Sequence, residues 1–187
     1  MKKSTGFMFF IVAFLLFLIS YQVDYQVDLL FKSIRFSLLD SIFGIITNFG
    51  IVAIVVLIIP SIILYRKNIK SAYLLWTIMV CAVISSLIIK LIVLRQRPEG
   101  ALVYPLIKII NYSFPSTHAM VVFALLPALA RFLPKQKFFW IIFAFLVALT
   151  RVYFSLHFLS DVVFGSYLGY FIGTFLLKMH EKGKLWI

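Results

Sequence analysis

Charge is what this chain has least of. Only 13% of its 187 residues are Asp, Glu, Lys or Arg, while 64% are hydrophobic and 18% aromatic. Soluble domains are about a quarter charged and about half apolar, so a water-soluble globule is excluded and an integral membrane protein is expected. There is one cysteine, Cys81, inside an apolar run. A single thiol cannot build a disulfide framework and reads as a small buried hydrophobe. The six acids are scattered and the three histidines lack ligand spacing, so no metal-binding cluster is expected. The net charge of +12 would suit nucleic acid if it lined one soluble face. Instead the cations sit in short segments between apolar runs, as topology signals do, and no nucleic-acid partner is expected. No domain boundary, internal repeat or low-complexity stretch divides the chain, so residues 1–187 read as one domain.

What the chain has in excess is apolar length. A membrane span needs about 20 largely apolar residues, and six segments qualify: roughly 6–23, 42–64, 71–94, 116–133, 138–158 and 160–178. The first has a longer apolar run than a signal peptide and no small-x-small cleavage site, so it reads as a retained span. Pro127 falls inside the fourth, where neighbours can satisfy the carbonyl it frees. With the N-terminus inside, eleven of the 18 Lys and Arg lie on inner segments and seven on outer ones. Three of those seven are Lys90, Arg97 and Arg151, leaving an eleven-to-four bias that fits the positive-inside rule. The expectation is all-α: a six-helix membrane bundle with both termini cytoplasmic. The outer segment 24–41 reads either as a helix lying flat in the headgroup layer or as a plain connecting loop.

That topology puts three polar clusters on one outer face: Lys90…Arg97-Pro98, then Ser113-Phe114-Pro115-Ser116-Thr117-His118, then Thr150-Arg151…His157…Asp161. Ionisable residues at a span edge are costly and mark function by default. Lys90 is either an anchoring lysine that snorkels to the surface or a site cation. Arg97 follows two helical turns later, before Pro98 stops the helix, so the two point at one volume. An arginine fork matches phosphate oxygens. Arg95 is off that face and reads as a rim charge. Ser116 is placed either as a helix N-cap or, with the backbone of Thr117 and His118, as an anion site at a helix start. His118 titrates near neutrality and is rare in a span. Asp161 is placed to accept from one ring nitrogen of His157, freeing the other to attack; the alternative is a structural Asp–His pair. Cations, a nitrogen nucleophile, a proton donor and an orienting acid together make a phosphoryl-transfer set.

Lys90-x6-Arg97-Pro98, Pro115-Ser116-Thr117-His118 and Arg151-x5-His157-x3-Asp161 resemble the three-part signature of the type 2 phosphatidic acid phosphatase family, over residues 42 to 178. The resemblance implies a six-helix bundle with an extracytoplasmic site in the plasma or inner membrane. It implies that His157 is the nucleophile forming a phosphohistidine and that Asp161 orients it. His118 would protonate the leaving oxygen and then activate water. Lys90, Arg97, Ser116, Thr117 through its N–H, and Arg151 would bind phosphoryl oxygens, and no metal or other cofactor would be needed. Two positions depart from the pattern. Thr117 stands where the family usually has glycine, so a backbone N–H must approach phosphate with a Cβ present, and Thr150 replaces a common serine.

The expected substrate is a membrane lipid with a phosphate or diphosphate headgroup: a polyprenyl diphosphate, phosphatidylglycerol phosphate, phosphatidic acid or lipid A phosphate. A phosphotransferase using the same phosphohistidine is the alternative. A channel would spread its cations through the membrane depth, unlike these. The outer loop from Gln96 to Tyr112 is short, with Glu99 and Lys108 its only charges besides Arg97. One chain encloses the expected site, so a monomer without an obligatory protein partner is expected.

Overall fold

The computed structural model describes residues 3–100 and 108–185, all of whose regular elements are helical. Residues 101–107 of the Gln96–Tyr112 loop therefore lie outside the described residues. The chain runs through α1 (Lys3–Gln22), α2 (Asp24–Ser33) and α3 (Ser37–Thr47). Next, α4 (Phe49–Ala53) continues through a π turn (Ile54–Ile58) into α5 (Ile59–Tyr65). The π turn precedes Pro60, which lacks an N–H and crowds the carbonyl four residues back, so the ladder shifts register there. Then come α6 (Ile69–Val93), α7 (Thr117–Phe132), α8 (Lys137–Tyr153) and α9 (Leu159–Glu181).

Three helical stretches, Ile69–Val93, Pro134–Tyr153 and Leu159–Glu181, are single rods long and apolar enough to cross a bilayer. Two more segments are bent pairs: Phe10–Gln22 with Asp24–Ser33 at 62°, and Ser37–Thr47 with Phe49–Tyr65 at 50°. The second bend falls at Asn48, whose side chain caps the new helix by accepting from the Ile51 N–H at 3.2 Å. The fourth expected span is the 16-residue α7, about 24 Å at 1.5 Å per residue against a hydrocarbon core of about 30 Å. Nearly all of α7 from Ala119 to Leu129 is buried among the other helices, so protein rather than lipid surrounds it. The 24–41 segment is no plain loop: α2 and the first turn of α3 occupy most of it. The chain is an integral membrane protein, with long apolar rods displaying Ile, Leu and Phe outward.

The closest seam joins α7 to α9. Gly165, Gly169 and Gly173 recur every four residues on one face of α9. A Cβ on them would come within 2.8 Å of the Ser116 carbonyl oxygen, 2.1 Å of that of Met120 and 1.8 Å of that of Ala124. Small residues at this spacing let two backbones touch where lipid offers no hydrophobic drive. The seam fixes the site's frame, because the Ser116 N–H donates to the Asp161 carbonyl at 3.1 Å. Gly169→Ala is therefore expected to destabilise the protein by about 1–3 kcal/mol through overpacking, read as a lower Tm in detergent. Gly44→Ala is the control, since nothing lies within 4 Å of a Cβ there.

Candidate active site

The three clusters meet at a cavity of about 1110 Å³ between α3, α4, α6, α7 and the α8–α9 turn. Lys90, Arg97, Thr117, His118, Arg151 and His157 all line it. Asp161 and Ser116 are not among the lining residues.

Lys90 does not snorkel. It is 2% exposed, and its Nζ donates to the carbonyls of Tyr112 and, at 3.4 Å, Ser113. Nor do Lys90 and Arg97 share a helix: α6 ends at Val93, and Leu94 turns left-handed with φ 53°. Arg97 instead reaches the cavity from the non-helical chain beyond α6. Its Nε donates to the Asn111 carbonyl at 3.0 Å and its Nη1 to that of Leu156 at 3.1 Å, tying together the loops before α7 and before α9. Arg151, on the last turn of α8, donates to the hydroxyl of Thr47 at the end of α3.

Ser116 occupies the N-cap position of α7, but its side chain caps nothing. Its Oγ is buried and has no hydrogen-bond partner, which is costly unless something else meets it. The simple cap is therefore not what this serine does. Thr117 has its hydroxyl held by Ser86 Oγ of α6 at 2.7 Å, so the group that departs from the family pattern is anchored sideways. The first-turn N–H groups of α7, which a helix leaves unpaired, remain at the cavity. His118 Nε2 is likewise buried without a partner, and its ring meets Phe49 edge-on at 5.2 Å between centroids.

His157 is 3% exposed, in the turn between α8 and α9. The direct Asp161–His157 hydrogen bond expected from the spacing is not formed. His157 Nδ1 instead lies 2.7 Å from the Ser113 carbonyl and 3.8 Å from Asp161 Oδ2. A carbonyl only accepts, so Nδ1 carries the proton and Nε2 keeps the lone pair. Asp161 acts one step removed: its Oδ2 accepts from the Ser113 hydroxyl and, at 2.9 Å, from the Phe158 N–H. Ser113 thus joins the acid to the imidazole, taking the former by its hydroxyl and the latter by its carbonyl. Burial first, then the Arg151, Lys90 and Arg97 charges, hold His157 well below the ordinary histidine pKa, so its ring is neutral at neutral pH.

Arg95 is not a rim charge. Its Nη1 donates to Asp161 Oδ1 and to Ser160 Oγ, both at 2.7 Å, and its Nη2 to Asp24 Oδ2 at 2.7 Å. Asp24, also buried, accepts from the Ser160 N–H at 2.8 Å. Asp24, Arg95, Ser113 and Ser160 were given no site role by sequence reasoning. The one signal for Asp24 is a carboxylate directly after an apolar span. Among the described residues, no group of three or more His, Cys, Asp or Glu could hold a metal ion.

Residues 70–184 match the model of a family described as the PAP2 superfamily. The chain is 36% identical over 101 residues to phosphatidylglycerophosphatase B of Bacillus subtilis, and spans about half the length of that relative, 48% of each chain. It is 25% identical over 175 residues to an undecaprenyl-diphosphatase of Sulfolobus acidocaldarius, covering 88% of this chain and 82% of that one. The crystal structure of a transmembrane PAP2 type phosphatidylglycerolphosphate phosphatase from Bacillus subtilis superposes with a TM-score of 0.73. That match covers 95% of this chain and 98% of the other at 24% identity, and shows the shared fold.

Proposed function

Because the chain belongs to the PAP2 superfamily, we propose that it is a lipid phosphatase whose cavity removes a phosphoryl group from a membrane lipid through a phosphohistidine. The observation that carries this reading is the tautomer of His157. Its Nδ1–H is committed to the Ser113 carbonyl, so the lone pair of Nε2 belongs to a residue lining the same cavity as Lys90, Arg97 and Arg151. In the first step Nε2 bonds to phosphorus, the bond from phosphorus to the lipid oxygen breaks, and His118 gives that oxygen a proton. In the second, His118 takes a proton from water, whose oxygen bonds to phosphorus as the Nε2–phosphorus bond breaks, releasing inorganic phosphate and returning the lone pair to Nε2. Lys90, Arg97, Arg151 and the first-turn N–H groups of α7 hold the phosphoryl oxygens as charge builds, which is most of what phosphoryl transfer requires. Ser116 Oγ, buried and unbonded within the protein, is a further donor to those oxygens. Asp161 orients His157 through Ser113.

The eleven-to-four bias of non-motif cations supports six spans, inner termini and an extracytoplasmic cavity. The two bent pairs and the protein-wrapped α7 supply the spans beyond the three straight ones. A cavity walled by one chain supports a monomer. An apolar exterior beside the site favours a lipid whose tail stays in the bilayer. The test is phosphate release by purified protein in detergent, without added acceptor, against a polyprenyl diphosphate, phosphatidylglycerol phosphate, phosphatidic acid and a lipid A phosphate. Release is expected from at least one. No release from any of them by folded protein, or release only when an alcohol acceptor is added, would defeat the hydrolase reading.

A further inference from the structure

One cation in the cavity wall lies outside the three sequence clusters. Arg35 sits in the non-helical link between α2 and α3, yet lines the same cavity as Lys90, Arg97 and Arg151. Its guanidinium stacks over the rings of Phe154 at 5.3 Å and Tyr153 at 5.8 Å. This fixes its plane at the α8–α9 turn that also carries His157. Its side-chain acceptor among the described residues is Asp40, by two bonds of 3.4 Å, beyond the usual range for N–H···O. The same carboxylate is held more closely, at 2.7 Å, by the Tyr153 hydroxyl. A guanidinium has five donors in a rigid fork, so Arg35 is braced by aromatic rings and still has donors to offer.

The charge of the wall indicates what it would meet. Among the described lining residues are four cations and no carboxylate. A phosphomonoester carries about −1.5 to −2 near neutral pH, which Lys90, Arg97 and Arg151 already exceed. A fourth cation in the same volume is matched when the headgroup carries a second phosphoryl group. The cavity is large enough for two.

We propose that Arg35 forms a second-phosphoryl subsite, holding the phosphoryl group next to the one attacked at His157, so that linked diphosphates are preferred to monophosphates. This deepens the phosphatase reading and rests on it for the position of the attacked group. The shared chemistry is two linked phosphoryl groups, whether on a prenyl lipid or as free pyrophosphate, and the measurements separate these sources.

In turnover, Arg35→Gln is expected to raise KM for farnesyl diphosphate at least about tenfold, the effect of losing a hydrogen-bonded charge, with kcat changed far less. The ratio of kcat/KM between farnesyl diphosphate and farnesyl monophosphate should fall by a similar factor, and Arg35→Lys should restore part of it. A merely structural Arg35 would lower both substrates together and leave that ratio intact, which would overturn the proposal. In binding, calorimetric titration with inorganic pyrophosphate and inorganic phosphate should show a preference for pyrophosphate that Arg35→Gln erases. If the wild type hydrolyses no lipid but shows that preference and loses it in the variant, the phosphatase reading falls and the subsite stands. If lipids are hydrolysed with a ratio indifferent to Arg35, the subsite falls and the phosphatase stands. Turnover of free pyrophosphate as fast as the lipid would assign the subsite to the soluble anion.

Discussion

Replacing His157 by alanine is expected to lower phosphate release by about four to six orders of magnitude, the loss typical of removing a covalent nucleophile. The protein should remain folded. The ring's close hydrogen bond is to the Ser113 carbonyl at 2.7 Å, and stranding that acceptor costs about 1–3 kcal/mol. His118→Ala removes an acid rather than the nucleophile, so a smaller loss of about 10²–10⁴ is expected. The two variants should also differ in kind. Alkali-quenched protein incubated with a phosphorus-labelled substrate should carry a base-stable, acid-labile phosphoryl group in wild type and none in His157→Ala. Label retained in His157→Ala would place the nucleophile elsewhere.

The pH dependence follows from the same burial. His157 is held below its ordinary value by desolvation and then by Arg151, Lys90 and Arg97. A neutral ring is needed to attack, so protonation of this residue should cut kcat/KM only well below about pH 6.5, the reference histidine value. The unfolded chain binds a proton there near pH 6.5 while the folded chain does not. Stability from this group is thus complete above about pH 6.5 and declines as the pH falls toward the lower folded value. Arg151→Gln removes one of the depressing charges and should move the acid limb toward higher pH. An unmoved limb would show that the limb reports another group.

How much of this was legible in the sequence depended on which physical quantity each reading used. Counting cations across short loops placed all three clusters on one face, and they do line one cavity. Where a reading assumed that a helix continues, it failed. Arg97 on the same face as Lys90, with Arg95 off that face, requires that α6 run to Pro98. Leu94 ends the helix early, and beyond it residue spacing no longer sets direction. The choice of hydrogen-bond partner was also hidden. The i,i+4 spacing of His157 and Asp161 brings them to 3.8 Å. Whether they bond each other or share Ser113 depends on a loop 44 residues upstream of His157. Asp24, joined to Ser160 across 136 residues, gave no local signal beyond its place at a span end. The Gly165, Gly169, Gly173 repeat was visible at small-residue spacing, and only the packing shows which helix it receives.

Arg95→Gln carries the second large effect, because it removes a cation bonded to two buried carboxylates. The fork bonds Asp24 and Asp161 at 2.7 Å each while lying over the Phe158 ring at 4.3 Å. Asp161 is fully buried and Asp24 nearly so. Breaking a buried pair from one side typically costs about 3–5 kcal/mol, since the stranded charge cannot regain water. Here two charges are stranded, so one carboxyl is expected to take up a proton. Activity should fall with stability, because Asp161 holds the Ser113 hydroxyl and Ser113 holds His157. Arg95→Lys keeps the charge but lacks the planar fork that spans both acids, so it should recover only part. The informative variant is Asp24→Asn on top of Arg95→Gln: with one carboxylate neutralised, the double variant should melt higher and turn over faster than Arg95→Gln alone. If instead the two losses simply add, Asp24 and Arg95 act separately, and the α2–α9 bridge is a surface tether rather than the support of the nucleophile.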